Sequence, residues 1–106
     1  MVWRKFHGLM IQYTIQFKLP ADKTNEFAHS WKCFCDNTLE TEGLSDCKMS
    51  SIGESSHKIS MTWSERYYLN LFMKGEWYNF LHGAVNVLGD ESVITQREIQ
   101  LKKPIA

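Results

Sequence analysis

The side chains best equipped for chemistry lie in one aromatic segment. Between Trp63 and Leu88 the chain carries Tyr67, Tyr68, Phe72, Trp77 and Tyr78, with one histidine, His82, among them. An imidazole with an ordinary pKa of about 6.5 is suited to taking a proton from a phenol near neutral pH. The rings could form a stacking wall for a planar ligand, although core and subunit packing uses the same residues. Trp63 is either a plug between sheet and helices or part of a pocket wall, and its indole N–H needs a partner if buried. Met61, with Met49 and Met73, could line a deformable apolar space.

Other chemistries find less support. Cys33 and Cys35 are two apart on a predicted helix, so they point in different directions and cannot readily share a metal with Cys47. No metal site is expected. His29 and His57 have no evident partner. No glycine-rich phosphate loop, Ser-His-Asp set or pair of catalytic carboxylates can be assembled.

The elements that must position these residues follow from periodicity. His57 to Trp63 alternates, with His57, Ile59, Met61 and Trp63 on one face, and reads as a strand. Ser64 is the expected N-cap of a short helix over 65–73. Lys74-Gly75-Glu76 interrupts it, and a second helix runs from about Trp77 to Leu88. His82 falls about 140° around that helix from Trp77, on the margin of its apolar arc. Gly89 is the expected left-handed terminator.

Earlier in the chain, MIQYTIQFKL alternates strictly and predicts a strand from Met10. Ile11, Tyr13, Ile15, Phe17 and Leu19 face a hydrophobic layer, while Gln12, Thr14, Gln16 and Lys18 face away. Tyr13 and Ile15 are thereby candidates for lining a ligand space beneath the helices. Residues 1–9 fall outside this pattern and read as an extension, leaving a single domain over 10–106. Pro20 ends the strand. Asp22 is the candidate N-cap for a helix of roughly Lys23 to Thr41, whose buried stripe is Phe27, Trp31, Phe34 and Thr38, joined by Cys35 and Leu39. Gly43 is its expected cap. Strands over Leu44 to Ile52 and Ser92 to Leu101 complete the order, with a hairpin turn at Gly53 to Ser56.

Strand, helix, strand, strand, helix, strand, with short connections, predicts an α+β, ferredoxin-like split βαβ domain. Helices cover only one sheet face, so a homodimer is expected to cover the other, although Gln12, Thr14, Gln16 and Lys18 make that face polar. The 106 residues carry twelve acidic and twelve basic side chains, with no net charge to attract nucleic acid. No apolar run approaches the about 20 residues of a membrane span. The three cysteines do not form a secreted disulfide framework, and a cytoplasmic location is expected.

With Trp63 ending a strand, Ser64-Glu65 opening a helix and TWSERYYLNLF…WYNFLHGAV continuing as a broken helix, the chain resembles the antibiotic biosynthesis monooxygenase (ABM) family. LETEGLSDCKM is similar to that family's acidic, glycine-ended entry into the second strand. The resemblance covers about Met10 to Leu101 and implies a dimeric α+β barrel. It also implies a pocket between sheet and helices, in which some members oxidise phenolic or quinol-like rings without metal or flavin. On that basis Trp63, Tyr68 and His82 would be catalytic. Tyr13, Ile15, Met61, Phe72, Trp77 and Tyr78 would touch a small aromatic substrate. Other members bind and degrade haem, and His82 also aligns with their axial histidine. The positions that hold asparagine and tryptophan there are occupied here by Ile15 or Gln16 and by Leu71 or Phe72. A binding or dimerisation module without chemistry is the third reading.

Overall fold

The structure, a computed structural model, describes residues 9–100. Met1 to Gly8, most of the expected extension, and Leu101 to Ala106 lie outside the described residues. Strand β1 spans Leu9–Lys18, α1 Thr24–Thr38, β2 Leu44–Ser51, β3 Ser56–Trp63, α2 Arg66–Met73, α3 Glu76–Leu88 and β4 Asp90–Gln100. The four strands form one antiparallel sheet in the order β2-β3-β1-β4. With its helices on one face, this is the split βαβ arrangement that the element order predicts. No described helix is long and apolar enough to cross a membrane.

Alternation in β1 and β3 builds the core. Ile11, Tyr13, Ile15 and Phe17 pair with Trp63, Met61, Ile59 and His57 across the two central strands. Because directly opposed residues share a face, these side chains form one apolar layer. The helices press Phe27, Phe34, Leu69, Phe72, Leu81 and Val85 onto it. On the other face Thr14 opposes Ser60, and both are buried although no helix covers them.

Several termini differ from the sequence expectation. A 3-10 turn at Ala21–Lys23 precedes α1, and Lys23 occupies the N-cap position without a side-chain bond, so Asp22 does not cap the helix. At its far end α1 stops at Thr38, short of the expected Thr41, where backbone bonds from Thr41 to Thr38 and from Leu44 to Thr41 tighten the chain into turns. Glu65, not Ser64, holds the N-cap position of α2. The Ser64 amide is instead used by the Gly43 carbonyl at 2.7 Å.

Gly43 has φ +86° but lies beyond the end of α1, against the Tyr68 ring, where a Cβ would collide. Gly89 is extended at φ −106°, not left-handed. Its need for glycine is steric, because a Cβ would stand 2.9 Å from the Val85 carbonyl oxygen and 3.1 Å from that of Lys18. The left-handed residue of that turn is Glu91, at φ 52°.

Candidate functional site

Two periodicities converge on one hydrogen bond. The twofold repeat of β1 turns Tyr13 toward the helices, and the helical repeat of α3 buries Leu81 and Val85. His82 follows Leu81 by one position, which leaves it half-buried at the edge of that buried stripe. There its Nε2 lies 2.7 Å from the Tyr13 hydroxyl. Tyr78, one turn earlier on α3, stacks at a tilt on the imidazole with ring centroids 4.3 Å apart.

Burial sets the charge state of this pair. It lowers the His82 pKa below its ordinary value. It also raises that of Tyr13, with the neighbouring Tyr78 hydroxyl adding to the effect. Both groups are therefore neutral near pH 7. The phenol donates to Nε2 in the Nδ1–H tautomer and accepts from it in the Nε2–H tautomer.

The sheet beside this pair is open. Register places Ile94 opposite Ile15 and Gln96 opposite Tyr13, so both β4 residues share the helix-covered face. Yet Ile94 remains 46% exposed, because the helix layer stops short of it. Gln96 spans the gap, with Nε2 3.8 Å from Met73 Sδ and Oε1 accepting a long 3.4 Å bond from Arg66 Nη1. A flat ligand could approach Tyr13 and His82 across Ile94 and Gln96. Arg66 would be the cation of that margin.

The sequence-predicted residues thus divide into three groups. Tyr13, Tyr78 and His82 meet in the cluster just described. Ile15, Met61 and Trp63 are wholly buried in the core, and Phe72 packs on Trp63 with centroids 5.1 Å apart. Trp63 Nε1 is buried without a hydrogen-bond partner, at a cost of about 1–3 kcal/mol.

Tyr68, Phe72 and Trp77 form the third group. They line an open recess of about 250 Å³ between the end of α1, helix α2 and the start of α3. His82 does not line it. The Tyr68 hydroxyl donates to Glu42 at 3.3 Å, and the charge of Glu42 raises its pKa.

Ile94, Gln96 and Arg66 escaped the sequence reading as site neighbours. The register of β4 against β1 brings Ile94 and Gln96 beside Tyr13, and alternation within one strand does not specify its partner. Arg66 and Met73 of α2 meet Gln96. The cysteines are free: Cys33 is exposed, Cys35 and Cys47 are half-buried, and burial pushes the Cys47 thiol up to about 12. No group of three or more His, Cys, Asp or Glu among the described residues is placed to hold a metal ion.

No family model and no curated protein matches the sequence. Solved structures do match. A conserved protein from Methanosarcina mazei Go1 aligns with TM-score 0.78 and 16% identity over 92% of this chain and 97% of its own. A protein from Bacteroides thetaiotaomicron, described as a possible oxidoreductase, gives 0.75 and 18% over 86% and 98%. A candidate antibiotic biosynthesis monooxygenase from Deinococcus radiodurans gives 0.77 and 12% over 91% and 98%. At these identities what is shared is the arrangement of the backbone, since side chains that carry chemistry change freely within one fold. The chain has the ABM-type fold.

Proposed function

We propose that this protein is an oxidoreductase of the ABM kind that oxidises a phenol- or quinol-like ring with dioxygen and no bound cofactor. The observation that carries the reading is the 2.7 Å contact between Tyr13 and His82, at the point where the helix layer gives way to bare sheet. Tyr13 is 1% exposed, so a ring lying on Ile94 and against Tyr78 would have to displace neighbouring side chains to bring its hydroxyl to the Tyr13 oxygen. Tyr13 can accept that proton while passing its own to Nε2, leaving a ring anion beside an imidazolium. Desolvation makes the imidazolium costly, and the adjacent anion offsets part of that cost. For a quinol, the anion gives two electrons to dioxygen and the ring becomes a quinone. Dioxygen takes the imidazolium proton and the second hydroxyl proton and leaves as hydrogen peroxide. The positive charge of Arg66 favours the anion before it reacts. The protein's contribution is to position and deprotonate the ring.

A haem iron would need the His82 nitrogen that is already hydrogen-bonded to Tyr13. Ile15 and Phe72, at or beside the other positions that haem degraders use, are apolar and buried. This donor set does not fit haem, which favours the cofactor-free reading. The solvent-facing side of the sheet supports a homodimer. Val93, 60% exposed, shares that face with Thr14, Gln16 and Thr95, a mixed surface on which a second sheet can seat.

Oxygen uptake by the purified protein over a panel of hydroquinones and naphthoquinols tests the proposal. Turnover should fall about 100-fold or more in His82→Ala and clearly in Tyr13→Phe. Absence of uptake across the panel would overturn it. A Soret shift with added hemin that disappears in His82→Ala would move the assignment to haem.

A further inference from the structure

The recess at Tyr68 and Trp77 has a chemistry of its own. Its walls are Tyr68, Phe72, Leu71 and Trp77, and among the described residues the charged side chains lining it are Glu42 and Glu76. No lysine, arginine or histidine among the described residues lines it. The C-terminal ends of α1 and α2 both abut this hollow. Their last carbonyls add partial negative charge, although those of Leu71 and Phe72 are partly used by the amides of Lys74 and Gly75. The N-terminus of α3 carries the opposite partial charge, but Glu76 stands in its first turn and answers it.

Size limits the occupant further. At about 250 Å³ the recess is smaller than the roughly 300 Å³ at which drug-sized ligand sites begin. An anion is repelled. A neutral alkane would use the rings but leave both carboxylates idle. Aromatic faces beside carboxylates are the combination that attracts a compact cation with an apolar skin, through the ring quadrupole and simple charge attraction together.

We propose that this recess binds a small organic cation, an ammonium head with a compact apolar body, independently of His82. Glu42 supplies charge from the loop after α1, where the Tyr68 hydroxyl holds it at 3.3 Å. Glu76 supplies it from α3, next to Trp77, which is partly buried with one edge against Phe80. Both carboxylates are solvated, so neither alone gives tight binding, and affinity in the millimolar range is expected.

Amide and indole NMR of the full chain, titrated with tetramethylammonium chloride at constant ionic strength, tests this. Resonances of Gly75 and the Trp77 indole should shift and saturate. The neutral isostere 2,2-dimethylpropanol should bind about tenfold more weakly, as should tetramethylammonium to the Glu42→Gln/Glu76→Gln double variant. His82→Ala should bind like the parent, so this result stands or falls separately from oxygen uptake. Three outcomes would overturn the proposal: no saturable shift, equal affinity for the neutral isostere, or loss of binding in His82→Ala.

Discussion

Ile15 has an isoleucine on either side in the sheet. Ile59 of β3 and Ile94 of β4 both oppose it and share its face, yet Ile59 is 0% exposed and Ile94 is 46% exposed. Residue type is the same but position is not: Ile59 stands on a central strand between Ile15 and Met49, whereas Ile94 stands on the edge strand β4, where the layer above also thins. Helices cover β3 and β1 fully and reach β4 only in part, leaving Ile94 uncovered. His82 hangs from α3 at that boundary and Tyr13 reaches it from below. The lesson is that the chemistry-bearing pair sits at the margin of the packed layer, with His82 half-buried and Tyr13 still part of the core.

The sharpest way to break the contrast is to truncate both isoleucines. Ile59→Ala should destabilise the fold by about 3 kcal/mol, since it leaves a cavity among Ile15, Met61 and the helices. Ile94→Ala should cost less than about 1 kcal/mol, because its side chain already meets water. Urea midpoints give both values. Equal losses would mean that β4 is covered in solution, for example by a second copy of the chain.

Tyr13→Phe probes the boundary itself. The substitution keeps the ring and removes the hydroxyl bonded to Nε2, so it should cost about 1 kcal/mol if water can replace the hydroxyl. A loss well above about 2 kcal/mol would show that the pair is sealed from solvent and that no ligand approaches from β4.

How much of this was written in the sequence depends on the range of the interaction. The inward face of β1 was legible because alternation is a local property of ten residues. Trp63 and the aromatic stretch were legible as a group for the same reason. Their division into a core, a His82 cluster and a separate acidic recess was not, because it depends on where α2 stops and how α3 is rotated over β1. The Tyr13–His82 bond joins residues 69 apart in sequence. His82 looked marginal on a helical wheel, and it is; a wheel shows the angle but not the phenol waiting at that angle. Gly89 was correctly placed at the end of α3 but for the wrong reason, since close approach of two carbonyls, a tertiary feature, is what excludes a side chain there.

Gly83 sharpens the picture from the helix side. A Cβ built on it meets nothing within 4 Å, in contrast to Gly89 at the C-terminal end of the same helix. Gly83→Ala should therefore raise stability by roughly 0.5–1 kcal/mol, through lower chain entropy in the unfolded state and better helix propensity. The urea midpoint should rise. A fall would place an unseen neighbour over the margin that holds His82.

The smallest effect is the most specific to His82. Burial holds its folded pKa below the unfolded value of 6.5. Between those two values the unfolded chain binds a proton that the folded chain refuses, so stability must rise with pH across that window. The contribution is fully present above about pH 6.5 and is lost as pH falls through the folded value. Comparing urea midpoints at about pH 7.5 and about pH 5 for the parent and His82→Gln isolates it, because every other group is common to both proteins. The parent should lose more on acidification. If the two fall equally, the imidazole is as well solvated folded as unfolded, and the boundary position deduced from Ile59 and Ile94 does not extend to α3.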